Sequence, residues 1–128
     1  MNSRHLTSVY VVDDLPAMRE RLCALVGEVS NTEVVGTAGT PADAIAGVLE
    51  MRPDCVLLDY QLEGGTGLDV LRAVHPKAPE VVFVVLTNNA LPQYRRACFA
   101  AGAQHFLDKA TEFDQVRDLI RQAGATRN

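Results

Sequence analysis

A chain of 128 residues, 48% hydrophobic and 22% charged with a net charge of −4, has the length and balance of one soluble globular domain with its own core. No apolar run approaches the ~18 residues of a membrane-spanning helix, the Met1-Asn2-Ser3-Arg4-His5 start opens no signal peptide, and no Lys/Arg-rich segment offsets the acidic balance, which weighs against nonspecific nucleic-acid binding. Cys23, Cys55 and Cys98 lie far apart inside apolar stretches, with neither zinc-ligand spacing nor a disulfide framework, and are expected to be small buried hydrophobes of a cytoplasmic protein.

Short apolar runs alternate with stretches of helical periodicity. Val9–Val12 predicts a first strand and runs into Asp13-Asp14. Asp14 is placed to cap a first helix, with Pro16 in its first turn and a stripe of Leu15, Met18, Leu22, Leu25, Val26 and Val29. Val34–Thr37 predicts a second strand. Thr40-Pro41-Ala42-Asp43 then opens a second helix with a capping-box-like pattern, burying Ala44, Ile45, Val48 and Leu49. Cys55–Leu58 predicts a third strand ending at Asp59, followed by a flexible loop from Gln61 to Gly67. Leu68, Leu71 and Val74 mark a third helix, stopped by His75-Pro76. Val81–Leu86 predicts a fourth strand ending at Thr87, and Leu91, Tyr94 and Cys98 mark a fourth helix that closes at Gly102. His105–Leu107 predicts a fifth strand just before Lys109. Thr111-Glu112-Phe113-Asp114 opens a fifth helix with Phe113, Val116, Leu119, Ile120 and Ala123 on one face.

The first, third and fourth runs are nearly continuous rather than alternating, as in strands covered on both faces. Five β–α units with short, right-handed connections lay helices on both sides of a parallel sheet. The predicted class is α/β, a flavodoxin-like doubly wound (βα)5 sandwich with a five-stranded parallel sheet of order 2-1-3-4-5. No linker, repeat or low-complexity segment interrupts it, so residues 1–128 are expected to form one domain without an output domain.

Ligands of such folds bind beyond the carboxyl ends of the strands, near the switch in strand order. Asp13, Asp14, Asp59, Thr87 and Lys109 all fall there. Three carboxylates held together repel one another. A hard divalent cation offsets that, and Mg²⁺ suits a small carboxylate set that leaves places for water and a phosphate oxygen. One carboxylate can then attack phosphorus to form an acyl phosphate, while the metal and Lys109 neutralise the phosphoryl oxygens and the Thr87 hydroxyl donates to them. Asp13 and Asp14 are adjacent and suit the metal. Asp59 ends the expected central strand before an open loop and is the expected nucleophile.

These residues carry a resemblance. Val11-Val12-Asp13-Asp14, Leu57-Leu58-Asp59-Tyr60, Gly67-Leu68, Leu86-Thr87, Ala101-Gly102-Ala103 and Lys109, in register over the whole chain, resemble a response-regulator receiver domain of two-component signalling, of the stand-alone, chemotaxis-receiver-like kind. The resemblance implies a bacterial phosphoprotein that takes a phosphoryl group onto Asp59 from a phosphohistidine of a sensor histidine kinase or histidine phosphotransfer protein. It implies Mg²⁺, or Mn²⁺ in its place, held by Asp13, Asp14, Asp59 and the backbone carbonyl of Gln61. It also implies a switch in which Thr87 shifts toward the phosphoryl group and Phe106 turns inward behind it. The face of the fourth helix, fifth strand and fifth helix then changes its protein partners, with Arg95, Gln104 and Asp108, joined by Arg117 and Arg121, as candidates on it. A signalling phosphoacceptor is implied rather than an enzyme, one that assists its own phosphorylation and slow dephosphorylation. A monomer or phosphorylation-dependent dimer follows, with no direct nucleic-acid contact and no membrane insertion.

Several positions depart from the common family pattern. Glu63 and Ala110 replace prolines, so a more mobile loop is expected after Asp59 and no cis peptide after Lys109. Asn88 replaces a small residue beside Thr87, and Phe106 replaces a tyrosine. Gln61 and Asn89 are expected to flank an attacking water and set the lifetime of the phosphorylated state. Each feature also has a plainer explanation. Asp14 serves as a helix cap, Lys109 as a solvated lysine, Thr87 as a strand former, Phe106 as core, and His5, His75 and His105 as surface or loop residues. The competing functions are a docking module that works without phosphorylation and a small-molecule phosphatase, for which no cap insertion is visible.

Overall fold

Alternate residues of the first, third and fourth predicted strands meet different helices, which is why those runs are apolar throughout. The computed structural model describes residues 6–126; the reading of His5 lies outside them. Strands β1 (Thr7–Val12), β2 (Thr32–Ala38), β3 (Cys55–Asp59), β4 (Val82–Thr87) and β5 (His105–Asp108) form one parallel sheet in the order β2-β1-β3-β4-β5. Helices α1 (Pro16–Gly27), α2 (Pro41–Met51), α3 (Gly67–Val74), α4 (Pro92–Ala100) and α5 (Val116–Thr126) connect and cover it. Tyr10, Val12, Val56, Leu58, Phe83, Val85 and Phe106 point to one face, against Ala44 and Val48 of α2, Val70, Leu71 and Val74 of α3 and Cys98 of α4. Val9, Val11, Cys55, Leu57, Val84, Leu86 and Leu107 point to the other, against Leu22, Leu25 and Val26 of α1 and Val116 and Ile120 of α5. The doubly wound α/β fold of the sequence reading is the fold observed.

Local differences have local causes. Asp14 does not cap α1: the residue before the helix is Leu15, extended and making no side-chain cap bond, with Pro16 as the first helical residue. Pro16 has no N–H to satisfy, and the neighbouring Leu15 N–H instead donates to Asp13 Oδ1 at 3.0 Å. Leu15 is therefore outside the apolar stripe and 58% exposed. At α2 the Thr40 hydroxyl accepts from Asp43 N–H at 3.2 Å, one arm of the expected box. The complete box is at α3, where Thr66 and Asp69 cap each other's backbone.

The segment after Asp59 is not an open flexible loop. Gln61–Leu62 and Gly65–Thr66 pair as a short antiparallel ladder, with Leu62 buried. Gly67 lets this hairpin and α3 approach β3, because a Cβ there would lie 2.7 Å from the Asp59 carbonyl oxygen. The fifth helical segment begins with a 3₁₀ turn at Phe113–Gln115, and Glu112 rather than Thr111 ties the loop by accepting from Asp108 N–H at 2.9 Å. His105 lies within β5, where burial lowers its pKa, and His75 is partly buried with its Nδ1 unpartnered; neither is a plain surface residue. Cys55 and Cys98 are buried, and Cys23 is partly exposed. No cis peptide bond occurs, and no helix is long and apolar enough to cross a membrane, among the described residues.

Candidate functional site

Parallel register brings four strand ends to one edge. Asp59, the last residue of β3, pairs with Leu86, and Thr87, the last of β4, pairs with Asp108. Three backbone bonds fix this rim: Asp13 N–H to Ala38 O at 3.0 Å, Tyr60 N–H to Leu86 O at 2.9 Å and Lys109 N–H to Thr87 O at 2.8 Å. Asp13, Asp59, Thr87 and Lys109 are buried polar residues there, exposed by 0%, 7%, 1% and 8%. Asp14 is half-buried beside them.

Asp13, Asp14 and Asp59 each offer a carboxylate oxygen, and the three oxygens lie within 4.8 Å of one another. Lys109 Nζ donates to Asp13 Oδ2 at 2.9 Å and stands 3.4 Å from Asp59 Oδ1. One ammonium among three carboxylates leaves an excess of negative charge. Burial raises the Asp59 pKa to about 6, and the Asp13 charge adds to that, against the opposing pull of Lys109 and the Gln61 N–H. That N–H donates to Asp59 Oδ1 at 3.3 Å. The set is short of cationic charge and made of hard oxygen donors, so a divalent cation of the Mg²⁺ type fits it.

A cavity of about 230 Å³ opens above these groups, lined by Asp14, Leu15, Asp59, Gln61, Thr87, Asn88 and Lys109. All five residues singled out in the sequence therefore converge. Thr87 Oγ1 accepts from Asn89 N–H at 3.0 Å, leaving its own proton to donate elsewhere. Asn88 lines the cavity; Asn89 contributes its backbone to Thr87 instead. Phe106 is not in the cavity but in the core beneath it, 4% exposed.

Leu15 at the cavity mouth and Arg19, whose Nη1 donates to the Asp13 carbonyl oxygen at 2.7 Å, were not legible in the sequence. Of the candidates for a partner face, Arg95 donates to the Phe106 carbonyl at 3.3 Å and Gln104 accepts from Phe83 N–H at 2.8 Å, so both sit by β5. Arg117 is elsewhere: it pairs with Glu28 at 2.6 Å on the α1 side, in a cavity of about 510 Å³ with Arg21 and Phe113. The rotation of α5 that buries Val116 and Ile120 sends Arg117 that way.

Comparison with known proteins gives the same outline. A family model described as the response regulator receiver domain matches residues 9–121. The DNA-binding transcriptional activator DevR/DosR of Mycobacterium tuberculosis is 29% identical over 123 residues, covering 96% of this chain and 57% of that protein. The chain spans about half the length of several of the curated relatives it matches. Among solved structures, a DNA-binding response regulator of the LuxR family from Staphylococcus aureus superposes with a TM-score of 0.84 at 22% identity, covering 92% of this chain and 98% of that one. The response regulator domain of Thermotoga maritima CheB superposes with a TM-score of 0.82 at 24% identity, covering 93% and 96%. At these identities the two superpositions speak to the fold.

Proposed function

The chain belongs to the family of response regulator receiver domains, and from that premise we propose that Asp59 accepts a phosphoryl group from a phosphohistidine in a two-component relay. The observation that carries this reading is the Asp59 carboxylate itself. It ends the central strand, opens into the cavity, and has Lys109 Nζ 3.4 Å away and Asp13 and Asp14 beside it.

Asp59 attacks the phosphorus in line. A carboxylate O–P bond forms as the P–N bond of the donor breaks, and the electron pair leaves on the imidazole nitrogen, which takes up a proton. The product is an acyl phosphate on Asp59. Lys109 moves its charge from the carboxylates toward the incoming phosphoryl oxygens, and the Thr87 hydroxyl donates to one of them. Asp13, Asp14, Asp59 and the Gln61 carbonyl would hold Mg²⁺, which supplies neutralisation of phosphoryl charge when bound. Gln61 and Asn88, both lining the cavity, are placed to orient or obstruct the hydrolytic water, and so to govern how long the group persists.

The chain acts as a phosphoacceptor that relays a signal and not as an enzyme with an outside substrate; a cavity of about 230 Å³ is small for an enclosed substrate site. Phosphorylation biases a two-state equilibrium by the difference in phosphoryl contacts between the states. Breaking the Thr87–Asn89 bond transmits that bias to α4 and to the α4-β5-α5 face that a protein target reads. Intact mass after incubation with acetyl phosphate and Mg²⁺ tests the reading. One added phosphoryl group in the parent and none in Asp59→Asn is expected. No gain with acetyl phosphate or with a panel of sensor kinases would favour a docking module that works without phosphorylation.

A further inference from the structure

Arg19 sits in the first turns of α1, where a cation opposes the helix macrodipole. Its guanidinium instead reaches the acidic edge. Nη1 donates at 2.7 Å to the carbonyl oxygen of Asp13, the oxygen of the peptide that joins Asp13 to Asp14. Gly39 leaves room for this, since a Cβ there would lie 3.0 Å from Nη1 and 3.6 Å from the same carbonyl oxygen. Arg19, Gly39 and Asp14 border one cavity with Thr40, Asp43 and Glu63.

Every polar group of Asp13 is thereby tied. Its N–H donates to Ala38 O at 3.0 Å, Oδ1 accepts from Leu15 N–H at 3.0 Å, Oδ2 accepts from Lys109 Nζ at 2.9 Å, and its carbonyl accepts from Arg19. Among the described residues no hydrogen bond is made to the Asp14 carboxylate. The orientation of the Asp13–Asp14 peptide therefore sets the direction of the Asp14 Cα–Cβ bond, from which that carboxylate swings toward the cluster.

The geometry points to Arg19 as a positioning residue for the divalent cation: by holding the Asp13–Asp14 peptide it aims the Asp14 carboxylate into the cluster. The inference rests on the cation-dependent reading of the site given above. Charge and position make opposite predictions here. A guanidinium beside three carboxylates repels a cation, so if charge alone mattered its removal would tighten Mg²⁺ binding. Loss of the hold on the peptide would loosen it, and outer-shell groups that orient metal ligands are typically worth about 10–100-fold in affinity.

Calorimetric titration of the full chain with Mg²⁺ decides between them, using the parent, Arg19→Met and Arg19→Lys, with thermal melting of each in EDTA. Expected are an Arg19→Met Kd weaker by about tenfold or more, a smaller loss in Arg19→Lys, which keeps an N–H donor, and metal-free melting points close to the parent's. An Arg19→Met Kd that is unchanged or tighter overturns the inference, as does a loss matched by a fall of the metal-free melting point in both variants. A parent that binds no Mg²⁺ sinks the underlying reading and this inference with it, and that result is distinct from a parent and an Arg19→Met variant that bind equally well.

Discussion

Lys109 stands closer to Asp13 than to Asp59: Nζ is 2.9 Å from Asp13 Oδ2 and 3.4 Å from Asp59 Oδ1. Both partners of the shorter pair are almost completely buried, with side-chain exposures of 5% and 0%. In the metal-free protein the ammonium is thus the counter-ion of a carboxylate that has no access to water. Removing one partner of such a pair leaves an uncompensated buried charge, at a cost of about 3–5 kcal/mol. Lys109→Met is expected to lower the metal-free stability by that order, and to lose less in excess Mg²⁺, which replaces the missing charge. Urea unfolding with EDTA and with Mg²⁺ checks both halves.

Asp59 gives the stability of the metal-free protein a definite pH dependence. Its pKa is raised in the folded state from 3.8 to about 6, first by burial. Between those values the folded chain holds a proton that the unfolded chain has released. Its contribution to stability is therefore full below the unfolded value and is lost as the pH rises through about 6. In EDTA, Asp59→Asn is expected to gain stability relative to the parent as the pH rises from about 4 to about 6, the span between the parent's unfolded and folded values, and to hold that gain above it. Equal urea midpoints for the two proteins across that range would contradict the assignment.

Thiol chemistry reports on the core. Burial pushes the Cys55 thiol up to about 12 and Cys98 up to about 11, while Cys23 is raised less and is partly exposed. Alkylation of the native protein at pH 8 is expected to mark Cys23 first and slowly, with Cys55 and Cys98 labelled only after denaturation. Peptide mass mapping of the labelled sites checks the order.

Tyr60, next to Asp59, stacks on Tyr94 of α4, with centroids 4.6 Å apart and planes 20° from parallel. This contact ties the residue that follows Asp59 to α4. Tyr94→Ala is expected to cost about 1–3 kcal/mol, the lost stacking plus the burial of a partly exposed ring. Tyr94→Phe, which keeps the ring, should cost much less. Denaturant unfolding of the two variants separates the ring from its hydroxyl.

The strands were legible, and β1, β3 and β4 with the polar residues at their ends most plainly, because each of these three is covered on both faces. Its apolar run must then stop abruptly where the chain reaches solvent, and the residue at the stop is polar. What was not legible depends on rotation and on close contact. Thr66-Gly67-Leu68-Asp69 carries the capping-box pattern, yet its position inside a glycine-rich segment suggested flexibility until the ladder of Gln61–Leu62 with Gly65–Thr66 fixed it. Leu15 follows the period of α1 but precedes the helix, so it lies on the surface. Arg117 shares α5 with the core residues Val116 and Ile120, and only the packing of that helix on the sheet turns it toward Glu28. Arg19 looked like any helix arginine, because a bond to a backbone carbonyl leaves no trace in residue type.

A phosphoryl group accepted as proposed resides on Asp59 as an acyl phosphate. Phosphorylating the chain, reducing it with borohydride and mapping its peptides by mass tests this directly, because an acyl phosphate is reduced to the alcohol and an ordinary carboxylate is not. Homoserine at position 59, and at neither Asp13 nor Asp14, is the predicted result. Homoserine at one of those two positions, or a phosphoryl group that survives reduction on a hydroxyl or histidine, would contradict it.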